Sequence, residues 1–323
     1  MRRRSIFKLS AAAATLATLG ACGESSSEEP GDDSSGPRKV TVGVIPIVDV
    51  APIYLGKERG FFSARRIDLN LVTAQGGSAI VPGVLSGEFQ FGFSNITSLM
   101  IAQTKKAPVK VVANGTASTG APGKDFSGVA VRKGSPITSA AELSGRKVAV
   151  NTLKNIGDTT VRESVRKDGG NPNGIQFVEI GFPDMPAALE SGQVDAAWVV
   201  EPQLSTVKAA GGTVIASNFT DTAPNLTIAA YFAGLKLIAD DPALVKDFTD
   251  AVNESLAYAD AHPDEVRAVL SSYTKISEEV RAALTLPKWP VEINRASLET
   301  LAGLGETDGI FGDATPDLAK LLP

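Results

Sequence analysis

From Val40 to Ala216 the chain alternates short β-branched or aromatic runs with segments of helical spacing, and this alternation constrains the fold more than any other feature. Strand-like runs fall at Val40–Ile45, Leu69–Thr73, Phe89–Phe93, Val109–Ala113, Val129–Val131, Lys147–Val150, Gln176–Ile180, Ala196–Val199 and Thr213–Ala216. Helical segments lie between them at Pro52–Arg59, Ser78–Leu85, Ile96–Thr104, Ala140–Leu143, Thr159–Lys167, Pro186–Glu190 and Gln203–Ala209. Strands joined by helical crossovers predict an α/β fold of mainly parallel sheets. With 323 residues, 43% of them hydrophobic, the chain can bury the cores of two lobes. Disordered, collagenous and small disulfide-rich classes are excluded.

Beyond Pro242 the pattern turns helical. Leu244, Phe248, Val252, Ser255 and Ala259 share one helix face, and Val266, Leu270 and Tyr273 another. Pro263 is placed to start the second of these helices, and further helices are expected at Ser277–Leu284 and Arg295–Leu304. An internal echo links the two halves of the α/β region: LSGEFQFGF at 85–93 parallels LESGQVDAAW at 189–198. Aligning Ser86-Gly87 with Ser191-Gly192 pairs Gln90 with Asp195 and Phe93 with Trp198. Each copy reads as a helix end, a tight glycine turn and a strand. Two similar lobes imply a cleft, and open α/β sheets bind ligands beyond the strand C-termini, near helix N-termini.

The N-terminus reads as an export signal. Arg2, Arg3, Arg4 and Lys8 precede an apolar stretch, Leu9–Ala21, that ends in Leu19-Gly20-Ala21-Cys22. That stretch is too short to span a bilayer but suits a secretory signal. Small residues before the chain's single Cys resemble the lipobox of bacterial lipoproteins, which implies a lipid on Cys22. Arg3-Arg4-Ser5-Ile6-Phe7-Lys8 also resembles a twin-arginine signal. GESSSEEPGDDSSGP at 23–37 has no large apolar residue and reads as a flexible tether. Loss of the four basic signal residues moves the formal charge from −5 to −9, which argues against nucleic-acid binding. One Cys and one His leave no disulfide and no Cys/His zinc site, so no metal or cofactor is expected.

VGVIPIVDVAPIYLGKERGFF at 42–62 and IDLNLVTAQGGSAIVPGVLSGEFQFGFSN at 67–95 resemble extracytoplasmic binding proteins of the sulfonate, taurine, nitrate and thiamine-pyrimidine uptake family. LSGRKVAV at 143–150 and ALESGQVDAAWVVEP at 188–202 match that family's second lobe. The resemblance implies a type II periplasmic-binding fold, with two α/β lobes joined by two crossover segments and a ligand cleft between them. The organisation expected is a signal at 1–21, a lipidated tether at 22–38, lobe 1 at 39–120 and 225–323, and lobe 2 at 121–224. Crossings are expected near Thr116–Ser127 and Ser217–Thr227. The resemblance also implies a monomer that delivers a small molecule to an ABC permease and its cytoplasmic ATPase, with its lipid as the sole membrane attachment.

Candidate ligand residues come from loops after strands. Asp49 can accept a hydrogen bond from a ligand N–H, or cap the helix that follows. Gly76, Gly77 and Ser78 open a helix with backbone amides suited to an oxyanion, or form a plain turn. Ser94, Asn95 and Thr97 offer polar groups to a ligand or caps to a helix. In the second lobe Asn151 and Thr152 follow a strand, and Asn155, Gly157, Asp158 and Thr159 lead into a helix. Asp184 sits on a turn between prolines, Trp198 can stack on a planar ligand or pack in a core, and Glu201 opens the next helix. Tyr54 and Trp289 complete the cleft candidates, while His262 reads as a helix-junction residue.

The acidic groups outnumber the cations, with Lys154 the nearest positive charge, so a fully anionic ligand would depend on backbone amides and hydroxyls. A zwitterion such as taurine, or an amino-bearing heterocycle, would use the amides and a carboxylate together. The motifs GxSxG, HExxH and GxxxxGK[ST] are absent, as is the cysteine-rich motif of the thiamine-pyrimidine synthases on the same fold. A non-enzymatic solute receptor is therefore expected. The alternative is a sensing lipoprotein that presents its solute to a receptor, with an enzyme on the same fold further behind.

Overall fold

The run RKVTVGV forms strand β1 (Arg38–Val44), and its Val40, Val42 and Val44 are fully buried. The structure, a computed structural model, describes residues 36–323. The export signal, Cys22 and all of the expected tether except its last three residues lie outside the described residues. Helix α1 (Ala51–Glu58) crosses over to β2 (Ile67–Thr73), which pairs parallel to β1 from Arg38–Ile67 to Val44–Thr73. Helix α2 (Gly77–Ser86) leads to β3 (Phe91–Asn95), parallel to β1 on its other side. Helix α3 (Ile96–Thr104) and strand β4 (Val109–Ala117) follow.

The chain then leaves this sheet and builds a second. Strand β5 (Ser127–Val131) precedes β6 (Lys147–Val150), α4 (Ile156–Lys167), β7 (Gln176–Glu179) and α5 (Met185–Glu190). Strand β8 (Ala196–Val200), α6 (Gln203–Ala209), β9 (Thr213–Ala216) and the short α7 (Asn218–Thr222) complete the unit. Strand β10 (Thr227–Gly234) returns to the first sheet. The orders are β2-β1-β3-β10-β4 and β7-β6-β8-β5-β9. Each lobe thus repeats one plan, and its fourth strand is supplied by the chain arriving from the other lobe.

The expectation of mainly parallel sheets needs correction at that strand. β10 runs antiparallel to β3 and β4, and β5 antiparallel to β8 and β9, so both sheets are mixed. A strand that enters from the opposite lobe arrives from the cleft end, and it can join the sheet only by running against its neighbours. Sequence periodicity carries no direction, so it could not reveal this.

The echo between halves is structural. Gly87 and Gly192 both hold positive φ, at 82° and 73°, where a β-carbon is unfavourable, and each closes a helix end. Gln90 Oε1 accepts from the Thr41 amide at 2.8 Å, and Asp195 Oδ2 accepts from the Lys147 amide at 2.8 Å. In both lobes a side chain at the start of the third strand thus bonds to the first strand.

Helices α8 (Leu235–Asp240), α9 (Pro242–Ala261) and α10 (Pro263–Val269) follow β10. Phe248 of α9 stacks on Phe91 at 3.7 Å, and Ser255 lies where a β-carbon on Gly56 would sit, so glycine there lets α9 close onto α1. Helices α11 (Glu278–Ala283), α12 (Arg295–Thr307) and α13 (Leu318–Leu321) end the chain. The crossovers are tied together: the Ser118 amide donates to Leu226 O at 2.9 Å, and the Gly123 amide to Ser217 Oγ at 2.8 Å. Asp125 braces the first crossover by accepting from Ser118 Oγ and from the Thr119 amide. Among the described residues no helix is long and apolar enough to cross a membrane.

Candidate functional site

The two lobes meet along a closed seam. The Val48 amide donates to Glu201 O at 3.1 Å, and Asn155 Nδ2 donates to Ser98 Oγ at 2.9 Å. A β-carbon on Gly76 would lie 3.0 Å from Asn151 Nδ2 and 3.1 Å from Thr152 Oγ1. Arg166 of α4 forms a forked pair with Asp308 at the end of α12, at 2.8 and 3.2 Å. The first three contacts join segments at the C-terminal ends of one sheet to those of the other, which is where the strand order puts the rims, and the Arg166–Asp308 pair joins two helix ends away from them.

On the lobe 1 side, β1 ends in a tight turn, Val48–Val50, that carries Asp49. Its carbonyl is held by Trp289 Nε1 at 3.1 Å and by Thr116 Oγ1 at 3.3 Å. Its carboxylate is 2% exposed, and Oδ2 has no partner. Burial pushes the Asp49 pKa up to about 7, and the like charge of Asp125 adds to the rise. Tyr54 stacks on Tyr273 with ring centroids 4.0 Å apart, and Asp49 and Tyr54 both act electrostatically on Tyr231 and Tyr273. Tyr273 and Tyr231 are neighbours that the sequence did not assign to the site; the first is placed by it only on a helix face, and the second lies in β10, a strand the sequence reading did not pick out.

Helix α2 begins at Gly76-Gly77-Ser78 without a side-chain cap, so its first amides are free of intrahelical partners. Gly77 is required by close approach, since its β-carbon would lie 1.9 Å from Ser94 Oγ. Ser94 donates to Asn95 O, and Asn95 Oδ1 caps α3 through the Ser98 amide. Both are thus structurally engaged. Thr97 Oγ1 is buried without a partner.

On the lobe 2 side, Asn151 follows β6, and Asn155 caps α4 by accepting from the Ile156 amide at 2.8 Å while also reaching Ser98. Asp158 Oδ2 accepts from the Lys154 amide at 3.0 Å, leaving Oδ1 buried and unpartnered. Burial raises the Asp158 pKa to about 6 despite the amide bond and the charge of Arg162. Asn151 Oδ1 and Thr159 Oγ1 are unpartnered as well. Thr152 is half-buried, opposite Gly76.

Five further candidates are packed, bonded or exposed instead. Trp198 belongs to the lobe 2 core: it is 3% exposed, packs edge-on to Phe182 at 5.3 Å, and donates from Nε1 to Ser127 Oγ at 2.9 Å. Gly157 is the glycine that makes room for it, because a β-carbon there would lie 2.5 Å from the indole. Both carboxylate oxygens of Glu201 are spent, on the Ser205 amide and hydroxyl and on the Thr285 amide. Asp184 is exposed at the start of α5, and Ser78 is exposed as well. A groove of about 910 Å³ opens along the seam between Pro46 and Thr73 on one side and Pro183 and Gln203 on the other, with Tyr273 in its wall. None of the residues predicted from sequence lines it. Among the described residues no His/Cys/Asp/Glu cluster could hold a metal ion.

Two strand-exchanging α/β lobes that close on buried polar groups define the periplasmic-binding class of fold. The chain matches the NMT1/THI5-like family over residues 47–266 and belongs to it. It is 24% identical over 228 residues to a protein of Brucella abortus named as a binding protein, covering 69% of this chain and 67% of that one. Its fold resembles the ligand-binding component of an ABC-type import system from Staphylococcus aureus, solved with zinc bound, at a TM-score of 0.77 and 15% identity over 88% of this chain and 96% of that one. It also resembles the periplasmic aliphatic sulphonate-binding protein SsuA of Escherichia coli, at a TM-score of 0.70 and 17% identity over 88% and 98% of the two chains. The fold is that of the solute-binding components of ABC importers.

Proposed function

We propose that this chain is an extracytoplasmic receptor, anchored by a lipid on Cys22, that captures a small organic solute by lobe closure and delivers it to an ABC permease and its ATPase. One observation carries the reading. Six buried polar atoms lack partners on the strand-end loops and helix starts that meet across the closed seam: Asp49 Oδ2 and Thr97 Oγ1 in one lobe, and Asn151 Oδ1, Asp158 Oδ1, Thr159 Oγ1 and Gln203 Oε1 in the other. Buried polar atoms are costly unless bonded, and a guest between the lobes would bond them. Contacts to both lobes would favour the closed state over the open one.

Two ligand classes suit this chemistry: taurine or a related alkanesulfonate, and an amino-heterocycle of the thiamine-pyrimidine type. The uncapped start of α2 at Gly76, Gly77 and Ser78 would face an oxyanion, while Asp49 and Asp158 would face an amine. The test is a thermal-shift screen of sulfonates, taurine, nitrate and pyrimidines, followed by X-ray scattering of the protein with and without the best binder. A true ligand at about 100 times its Kd stabilises by about 2.7 kcal/mol. It also compacts the particle, and deleting the chain abolishes its uptake by cells. A binder that changes neither scattering nor uptake refutes the receptor reading. Cys22→Ser releases the protein into the medium; retention at the membrane refutes the anchor.

A further inference from the structure

We infer that the end of lobe 1 remote from the seam is a membrane-contact face, where Leu85 and Leu235 dip into the surface of an anionic bilayer and Lys105 and Lys106 meet its headgroups. The inference takes only the lipid on Cys22 from the proposed function, and it concerns a surface that the solute site does not use. Strands β1, β2, β3 and β4 all begin at this end, and β10, which runs against its neighbours, finishes there with Gly234 opposite Val109. The seam lies beyond the other ends of the same strands. The chain coming from Cys22 enters lobe 1 here, at Arg38. The intervening segment, 23–37, has no large apolar residue, and a polar chain of that length has a root-mean-square reach of about 20 Å. The length of β1 puts the seam about 20 Å farther on. A lipid on Cys22 therefore holds this end of the lobe, and not the seam, beside the bilayer.

The surface there is both apolar and basic. Among the described residues four large apolar side chains are strongly exposed, and two of them, Leu85 at 43% and Leu235 at 46%, stand at this end. They are neighbours in space. A β-carbon on Gly234 would lie 3.9 Å from Val84 O and from Pro108 O, and the Leu235 amide donates to Pro108 O at 2.8 Å. A groove of about 350 Å³ runs beside them, with Val84, Phe89 and Leu237 in its wall. Pro82 and Pro108 are exposed as well and widen the patch. Lys105 and Lys106 follow α3 and precede Pro108; both are exposed, and among the described residues neither forms an ion pair. Lys110, half-buried at the start of β4, adds another cation. Lys236 pairs with Asp240, and Glu88 is an exposed acid beside Leu85. Lysines thus outnumber acids around the patch, although the chain as a whole carries −5.

This composition selects the partner. Leucine tips flanked by lysines suit a bilayer surface: the apolar groups enter the acyl boundary, while the lysine stems lie along it and their ammonium groups stay among anionic headgroups. Protein partners favour aromatic rings and arginine and are poor in lysine. Here Phe89 is buried, and the cations at the patch are lysines. Two half-exposed leucines and a few lysines give weak, reversible attachment, well short of an anchor. Joined to a lipid on Cys22 they act as a second signal. They fix which side of lobe 1 rests on the membrane and leave the seam clear of it.

The test is flotation of the purified full chain carrying Cys22→Ser, and so no lipid, with vesicles of phosphatidylcholine alone or mixed with phosphatidylglycerol. At millimolar lipid the protein floats with the mixed vesicles, several-fold less with phosphatidylcholine alone, and several-fold less again as salt rises from about 0.05 to about 0.3 M. Leu85→Asn with Leu235→Asn cuts attachment about tenfold, and Lys105→Glu with Lys106→Glu cuts it about tenfold or more. Val291→Asn, a change to an exposed apolar residue between α11 and α12, leaves it unaltered. Melting temperatures confirm that each variant is folded. No flotation with either vesicle, equal flotation with both, or flotation unchanged in the two double variants overturns the inference. A dimer that the leucine variants disperse assigns the patch to a second copy and overturns it too. Solute binding, read by thermal shift on the same protein, stays as in the parent chain in every variant. A solute response without flotation therefore refutes the membrane face alone, and flotation without any solute response refutes the receptor reading alone.

Discussion

Lobe 1 and lobe 2 share one strand plan, β2-β1-β3-β10-β4 against β7-β6-β8-β5-β9, yet they meet the seam with different chemistry. In lobe 1 the helix after the second strand, α2, starts on two glycines with no side-chain cap, and the loop after the first strand carries a buried carboxylate, Asp49. In lobe 2 the helix after the first strand, α4, is capped by Asn155, and its acid, Asp158, is half-satisfied by the Lys154 amide. The difference separates two layers of information. Strand order decides where the rims lie. The few residues at each loop tip decide what the rims can hold, and these are free to diverge because they bear little of the packing.

The largest test concerns the echoed aromatics Phe93 and Trp198, 1% and 3% exposed, at matching positions of the two third strands. Trp198→Ala removes a ring packed on Phe182, Phe219 and Gly157, and Phe93→Ala removes one packed on Tyr231. Each is expected to cost about 3–5 kcal/mol in urea unfolding, because a large cavity is left in a closed core. An unchanged midpoint for Trp198→Ala alone would return that residue to the ligand site and break the equivalence of the lobes.

The two acids make the next test. Both have folded pKa values raised above the ordinary carboxylate value of 3.8, Asp49 to about 7 and Asp158 to about 6. The folded state therefore binds more protons than the unfolded one between the two values. For such groups stability is highest below the unfolded pKa and is lost as pH rises toward the folded pKa. The ligand-free protein is expected to weaken from about pH 4 to 7, and Asp49→Asn to recover roughly 2–4 kcal/mol at pH 7.5. Asp158→Asn recovers less, since an amide already bonds its carboxylate. Melting temperatures across that range check both. A wild-type curve that rises instead would mean that a cation already pairs with Asp49.

The sequence revealed the alternation, the glycine turns and the echo because each leaves a local mark: period, composition or positive φ. It placed Asp49, Asn151, Asp158 and the 76–78 turn on the segments that follow strands, where they lie in the structure, because such loops are short and easily located. It misjudged strand direction, which depends on where the chain arrives rather than on any residue. It also could not separate Trp198 from the cleft or Glu201 from a ligand role. Both lie at the end of β8 beside the seam, and only the packing of Phe182 and the amides of Ser205 and Thr285 decide which way they turn. Tyr273 was missed because its meeting with Tyr54 joins segments more than two hundred residues apart.

A smaller effect is expected at the Ser98–Asn155 contact, where the two lobes touch directly. Ser98→Ala leaves Asn155 Nδ2 without that partner in the closed state only, so it should destabilise closure by about 1 kcal/mol. In solution the ligand-free particle is expected to scatter as a slightly larger body, and the ligand to bind about fivefold more weakly. Unaltered scattering together with unaltered affinity would show that the seam does not open.

The finest comparison sets Gln90 against Asp195. Each side chain accepts from the first-strand amide of its own lobe at 2.8 Å, while its backbone N–H donates back to the same residue, Thr41 or Lys147, at 2.9 Å. Replacing either with Ala removes one such bond and leaves the backbone bond in place, so each is expected to cost about 1 kcal/mol. The Asp195 bond is charge-assisted, which favours a slightly larger loss in lobe 2. Because the two sites lie in separate sheets, the double variant should show the sum of the single losses. Losses that differ several-fold would mean that the echo is one of residue pattern without a shared role. Non-additive losses would mean that the two sheets unfold as a coupled unit through their exchanged strands.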